Sequence, residues 1–492
     1  MIWRPPASAP LARFAMAFAL LAAASCTGSR DESPVKVDLI GQTSELLNPL
    51  RASNTPTGKA MLGATAQGLL SFDARGEVMD ALAESWIVED GGQSYIFRLK
   101  RATWANGEPV KADAVALLLR DRFRANPTWL AGLKPVVRAM TDRVIEIRLN
   151  TALPAFLQLL AQPQFALVSD DSGTGPYRAK REGPHIELTP LTGPATSEGI
   201  SDNAPPSVDH RIVQTSSGAR ALVRFRERQT DLVLGGRFQH LLLVPAAGLS
   251  TADLRVDPVS GLFGFALTGR SEFLADGNVR DALSRVIDRT ALAATLGLST
   301  WPTIDHPLPA SLELDRAPTV PVWSDSPRET RLAIARQAVE RWRANHGEPP
   351  LLRVALPEGA GATVLFRRLA RDFAELGVRI DRVAMDESAD LVLIDEVAPF
   401  DSALWYLSRL DCAAKLLCDK HASELLAAAR EADSAAEQTR LLGEAERRIV
   451  EYAGYIPLGQ PIRWALTSRR LTGFQPSPRG IHPLNKLTLA PK

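Results

Sequence analysis

The sequence predicts an α/β chain of at least two lobes, and three observations carry that reading. Its 492 residues exceed what one hydrophobic core normally organises. Residues 351–394 read strand, helix, strand, strand, with aliphatic strands around a helix-period stretch at 362–376, the pattern of a βαβ layer. Residues 68–115 read hairpin, turn, helix. There Trp86, Ile87 and Val88 form a β-rich run, Asp90-Gly91-Gly92 supplies a turn tolerant of positive φ, and 94–99 alternates polar with apolar. Asn106-Gly107 marks a second turn, and beyond Pro109 the residues Val110, Ala114, Leu117 and Leu118 take up helical spacing.

Taken from the start, the first 26 residues carry Arg4 and Arg13, an apolar run at 14–24, and then Ser25-Cys26. A spanning helix would need about 20 apolar residues, so the segment predicts a secretory signal. The small residues Ala23-Ala24-Ser25 before Cys26 resemble a lipoprotein processing site, which would make a lipidated Cys26 the mature N-terminus. Ala23 stands where such sites prefer Leu, and simple cleavage with a free Cys26 is the alternative. Residues 27–34 read as a flexible tether. Charge is balanced, with 57 basic against 56 acidic residues. Removing Arg4 and Arg13 leaves one net negative charge, which gives no electrostatic footprint for nucleic acid or an anionic membrane.

A strand is expected over 35–40, a helix over 58–67, a turn at Thr141-Asp142-Arg143 into a strand at 144–149, and a short helix over 154–162. In Gly173-Thr174-Gly175-Pro176-Tyr177 the glycines permit a tight turn before a return strand. No Lys-Ser/Thr follows, which argues against a phosphate loop. Residues 184–203 read as surface loops, followed by strand, helix and strand at 209–213, 219–228 and 230–234, and a crossing strand at 261–267. Over 278–289 a helix is expected, with Asn278 as its cap, Val279, Leu283, Val286 and Ile287 as its buried stripe, and Asp281 paired with Arg285 at about 0.3 kcal/mol. Residues 357–361 precede the helix at 362–376 and could seat an anion, but the Gly-x-Gly-x-x-Gly spacing fails at Val364, which favours a plain helix entry. Helices at 424–429 and 435–450 lead to Ile456-Pro457-Leu458.

Several of these stretches resemble the bacterial extracellular solute-binding proteins of the oligopeptide, dipeptide and nickel class, family 5. The residues that carry the likeness are Leu69-Leu70, Asp73, Gly76, Leu82-Ala83-Glu84-Ser85-Trp86, Asp90-Gly91, Tyr95-Ile96-Phe97-Arg98-Leu99, Trp104, Gly107-Glu108-Pro109 and Ala112-Asp113-Ala114-Val115. Gly-Thr-Gly-Pro-Tyr at 173–177 and Val279-Arg280-Asp281-Ala282-Leu283 are further matches. Met79-Asp80 departs from the usual Pro, and Lys111 replaces a Thr able to cap the helix. The resemblance implies a two-lobed periplasmic-binding-protein fold (type II). Lobe I would be discontinuous over 35–258 and 454–492, and lobe II would be inserted over 259–453, with hinges near 256–264 and 453–458. It implies the substrate-binding component of an ABC importer, which captures peptides or a related small solute and delivers it to a permease and ATPase complex. A periplasmic, lipid-anchored monomer without cofactor or metal is expected. A surface lipoprotein that has lost transport is one alternative, and a periplasmic hydrolase is the other.

For the site, the resemblance points to Phe400-Asp401-Ser402-Ala403-Leu404-Trp405-Tyr406, where relatives place a loop that reaches the ligand. Asp401 is the expected carboxylate for a ligand ammonium and Asp395 the second candidate, although an Asp before an apolar helical run also serves simply as an N-cap. Trp405, Tyr406 and Trp104 are candidate ligand contacts, and for Trp405 simple core packing is the alternative. Cys412 and Cys418 are expected to pair in an exported chain. Six residues apart would put them on different faces of a helix, so a bridge needs 411–419 to be a loop and would contribute about 2 kcal/mol. Zinc is the other option, with only His421 nearby. An enzyme is not expected. Ser33-Pro34-Val35-Lys36 and Ser201-Asp202-Asn203 mimic fragments of a penicillin-binding signature, but no Lys-Thr-Gly follows, and neither His-Glu-x-x-His nor Gly-x-Ser-x-Gly occurs.

Overall fold

The computed structural model describes Met1 and residues 33–191 and 209–489, except positions 131, 171, 299, 313 and 433. Cys26, the signal segment, nearly all of the tether and Ser201-Asp202-Asn203 lie outside the described residues.

Two large sheets organise the chain. The first has seven strands in the order Leu254–Val256, Arg463–Thr467, Leu232–Arg237, Val35–Ile40, Arg211–Ser216, His185–Pro190 and Tyr177–Glu182. Val35–Ile40 is its centre and runs parallel to both neighbours, which explains why a largely apolar strand is buried at five of six positions. The second sheet has five strands, Ile380–Val383, Leu352–Ala355, Leu391–Val397, Gly261–Leu267 and Tyr455–Gly459. Gly261–Leu267 is buried throughout, because antiparallel partners pair both of its edges and apolar clusters cover both of its faces, with Leu262 and Ala266 in one and Phe263, Phe265 and Leu267 in the other. The hairpin read at 86–99 forms as Ala83–Glu89 and Ser94–Leu99 within a four-stranded sheet completed by Val144–Arg148 and Val136–Thr141. Its turn uses positive φ at Asp90, Gly91 and Gly92.

Four local expectations are corrected. The helix Gly277–Val286 is capped by Asp276, whose carboxylate accepts from the Asn278 backbone N–H at 2.8 Å, so Asn278 is the capped residue. Asp401 is not a cap either; Ser402 holds that position before Ala403–Ser408. Gly173 and Gly175 lie outside the left-handed region. They are required because a Cβ on either would come within 2.1 or 2.3 Å of the Thr65 backbone. Finally, Ile456-Pro457-Leu458 lies within Tyr455–Gly459, which pairs with Gly261–Leu267 in the five-stranded sheet. The chain passes between the two large sheets at 257–260 and again at 460–462, later than the 453–458 stretch suggested by the sequence. The two crossings touch: Asp257 N–H donates to the Arg463 carbonyl at 2.9 Å, and Gly261 N–H to the Gln460 side chain at 2.9 Å.

The bridge between Cys412 and Cys418 is formed, across a loop that contains only the short turn Cys412–Ala414. The Asp281–Arg285 pair is also present, and Trp323 Nε1 donates to the same carboxylate at 2.9 Å.

Candidate functional site

A cavity of about 650 Å³ lies where the crossings bring the two large sheets together. Its walls include the carboxyl ends of Leu232–Arg237 and Leu391–Val397, the position at which α/β sheets generally hold ligands. Helix Pro56–Thr65 contributes Lys59, the strand Arg463–Thr467 that follows the second crossing contributes Arg463 and Trp464, and the C-terminal segment contributes His482. Three indoles, Trp129, Trp405 and Trp464, supply broad apolar faces, and Phe400 packs edge-on against Trp129 at 6.2 Å between centroids.

Local backbone chemistry aims the charged groups. The pairing of Leu232–Arg237 with Arg463–Thr467 shifts register between Val233 and Gly236. Such an irregularity re-aims the side chains that follow it. Gly235 sits at φ +84°, and a Cβ on Gly236 would come within 2.2 Å of the Trp464 ring, so the glycine pair is what lets the strand end close over that indole. Arg237 follows directly, opposite Arg463.

Most lining charges are neutralised inside the protein. Arg463 donates to the Asp395 carboxylate at 2.7 Å and to the Asp395 carbonyl at 3.0 Å. Arg409 pairs with Glu396, Arg430 with Asp411 at 3.1 Å, and His482 with Asp257 at 3.0 Å. Lys59 and Arg237 have no hydrogen-bonding or ion-pair partner for their side chains among the described residues. Burial, with Arg463 and Arg237 beside it and Glu396 opposing, pushes the Lys59 ammonium down to about 8. Burial and Arg463 likewise hold the Arg237 guanidinium below its ordinary range.

The structure separates the residues singled out from the sequence. Asp395 and Trp405 line the cavity; Asp401, Tyr406 and Trp104 do not. Asp401 faces Arg479, which donates to both of its carboxylate oxygens, one at 2.9 Å, while Gln158 donates to it at 3.2 Å and accepts from its backbone N–H at 2.8 Å. Burial alone would raise the Asp401 carboxyl, but Arg479 and Gln158 outweigh it and hold it below the usual range. Tyr406 is 1% exposed and stacks edge-on behind Trp405 at 4.9 Å, and its hydroxyl is pushed up by burial. Trp104 belongs to the apolar core under the four-stranded sheet. Sequence reading missed Lys59, Arg237, Arg463, Glu396 and Trp129. The usable signals were a single cation within a helix of small and apolar residues, Thr57-Gly58-Lys59-Ala60-Met61-Leu62, and an Arg directly after Gly235-Gly236 at a strand end.

Two α/β sheets joined by two adjacent crossings, with a roomy cavity lined by charged groups and three indoles between them, are the build of a solute-binding protein. The chain belongs to the bacterial extracellular solute-binding proteins, family 5, whose middle-region model matches residues 77–328. It is 23% identical over 488 residues to the probable di/tripeptide-binding protein 5 of Pseudomonas aeruginosa, covering 86% of this chain and 89% of that protein. A shorter match, 30% identical over 119 residues, joins 20% of this chain to only 22% of the probable deoxycholate-binding periplasmic protein YgiS of Escherichia coli. Among solved structures, the Escherichia coli murein tripeptide binding protein MppA superposes with a TM-score of 0.75 at 18% identity, covering 93% of this chain and 98% of that one. That agreement makes the fold a type II periplasmic-binding-protein fold.

Proposed function

We propose that this protein is the substrate-binding component of an ABC importer, which encloses a peptide or a related small solute between its lobes and presents the closed form to a permease and ATPase complex. The observation that carries this is the cavity of about 650 Å³ at the crossings, within the 300–1,000 Å³ usual for small-ligand sites. Three indoles offer stacking and apolar area that tolerate varied side chains, while the charged groups fix orientation. Relatives named for binding di- and tripeptides, murein tripeptide and deoxycholate support a small solute of that size range.

In this reading the seven- and four-stranded sheets form lobe I, the five-stranded sheet with its helices forms lobe II, and the segments at 257–260 and 460–462 are the hinge. The mature protein is periplasmic, monomeric and held to the membrane by a lipid on Cys26. No helix among the described residues is long and apolar enough to cross a membrane.

Native mass spectrometry of the protein purified from its own cell envelope tests the central claim. A bound small molecule, lost on unfolding, is expected, and calorimetry with a pool of di- to tetrapeptides should then give saturable binding. A protein that carries nothing and binds neither its native extract nor the pool would sink the reading. Fatty-acid labelling of wild type but not of Cys26→Ser tests the anchor.

A further inference from the structure

The cavity is charged in an unbalanced way. Of the carboxylates that line it, Asp395, Glu396 and Asp411 are each held by an arginine of the protein itself, and Asp257 is held by hydrogen bonds with the Ser477 N–H and His482. Arg479, which also lines it, is spent on Asp401. What remains without a partner among the described residues is cationic only: Lys59 from the seven-stranded side's helix and Arg237 from the strand end. Neither is loose on an outer surface. Both are enclosed by protein yet keep some accessible area, and both line the cavity.

Their placement is unfavourable for the empty protein. Arg237 stands directly across from Arg463 in an antiparallel pair, and like charges opposite one another destabilise a sheet. Asp395 hydrogen-bonds to Arg463, whereas Arg237, although Asp395, Glu45 and Glu396 attract it from a distance, makes no direct ion pair among the described residues. A buried charge without a partner is costly, and such strain persists at sites where something else completes it.

We infer that the solute is an anion, and that Lys59 and Arg237 together receive its carboxylate in the cavity. This rests on the cavity being the solute site, and it gives the solute a chemical class: a carboxylate-bearing molecule whose negative end is buried, with any ammonium group secondary. A guanidinium matches a carboxylate bidentately, and an ammonium beside it adds a second charged hydrogen bond. The indoles of Trp129, Trp405 and Trp464 would then cover the solute's less polar body.

Three probes test this by calorimetry on the full mature protein: the di- to tetrapeptide pool as free acids, the same pool C-terminally amidated, and glutarate. In wild type the free acids should bind at least tenfold more tightly than the amides. Lys59→Met and Arg237→Met should each lose at least tenfold for the acids and close that gap, while Lys59→Arg and Arg237→Lys restore most of it. Circular dichroism and melting curves identify any variant that fails to fold, and the charge-conserving pair keeps the test decisive in that event. Equal binding of acids and amides by wild type overturns the anion seat and leaves solute binding intact. Glutarate bound, with neither peptide pool bound, keeps the anion seat and removes peptides as the cargo. Binding of no probe by folded wild type overturns the anion seat, while solute binding as such is decided separately by the native-extract measurement.

Discussion

Arg289, at the head of the helix Arg289–Thr295, spreads its guanidinium over the Ile304, Pro457 and Ser284 carbonyls at 2.9–3.2 Å. Arg237, at the end of Leu232–Arg237, meets no acceptor among the described residues. Burial lowers both guanidinium groups from their ordinary range, Arg289 to about 10. Arg280 follows Arg289, with its donors on the Leu274, Ala275 and Tyr452 carbonyls. Burial of a cation is therefore not the mark of a site in this protein. The mark is burial with the donors left over. Arg289 and Arg280 knit loops to helices, whereas Arg237 and Lys59 are held ready for a group the chain does not contain.

The contrast can be broken most forcefully at Arg289. Arg289→Met should strand several buried carbonyls and cost about 3–5 kcal/mol of stability, read by urea denaturation, while the folded fraction binds solute normally. A loss below about 1 kcal/mol would mean that the carbonyl cage is not structural. On the same side of the comparison stands the disulfide. Cys412→Ser with Cys418→Ser should cost about 2 kcal/mol by loop entropy, visible as a lower melting temperature.

Lys59 sharpens the comparison through pH. Its folded value of about 8 lies below the 10.5 of an unperturbed lysine, so between those values the unfolded chain holds more protons. Stability of the empty protein should therefore rise as pH increases through that window. Affinity should move the other way. A bound carboxylate keeps Lys59 charged, so binding takes up a proton above pH 8 and weakens by up to about tenfold per pH unit. The groups bearing on this ammonium are Arg463, Arg237 and Glu396, and Lys59→Arg should flatten both profiles. Parallel slopes in wild type would contradict the assignment.

The smallest effect is expected at Asp401. The Asp401–Arg479 pair is half-exposed on the acid's side, with the Asp401 side chain 52% accessible, so Asp401→Asn should change stability by about 0.5–1 kcal/mol. Peptide affinity by calorimetry should shift less than threefold. A tenfold loss would restore Asp401 as the ammonium receptor and make the cavity's cations secondary.

Much of the fold was legible because its signals are local. Alternation at 94–99, the glycine turn at 90–92 and the unbroken apolar run at 261–267 each depend on neighbours in sequence, and strands formed there. The pairing of Cys412 with Cys418 was legible for the same reason, since a short loop and an exported chain are both sequence properties. The site was legible only in part. Asp395 sits near the end of a recognisable strand and Trp405 in the short helix Ala403–Ser408 that follows it, and they do line the cavity. Asp401 looked the better candidate than Asp395, but which acid is satisfied depends on Arg479, which arrives from the far end of the chain.

What the sequence by itself determined was the βαβ layering, the hairpin and the motif set, because propensity, turn chemistry and periodicity act over a few residues. Tertiary structure alone decided that Gly173 and Gly175 are needed for a close backbone approach, that Tyr455–Gly459 joins the five-stranded sheet, and that Lys59 and Arg237 share one cavity without an ion-pair partner among the described residues. The reason is physical. Whether a charge is paired depends on which distant segments the two crossings bring within a hydrogen-bond length of it, and no local pattern records that distance.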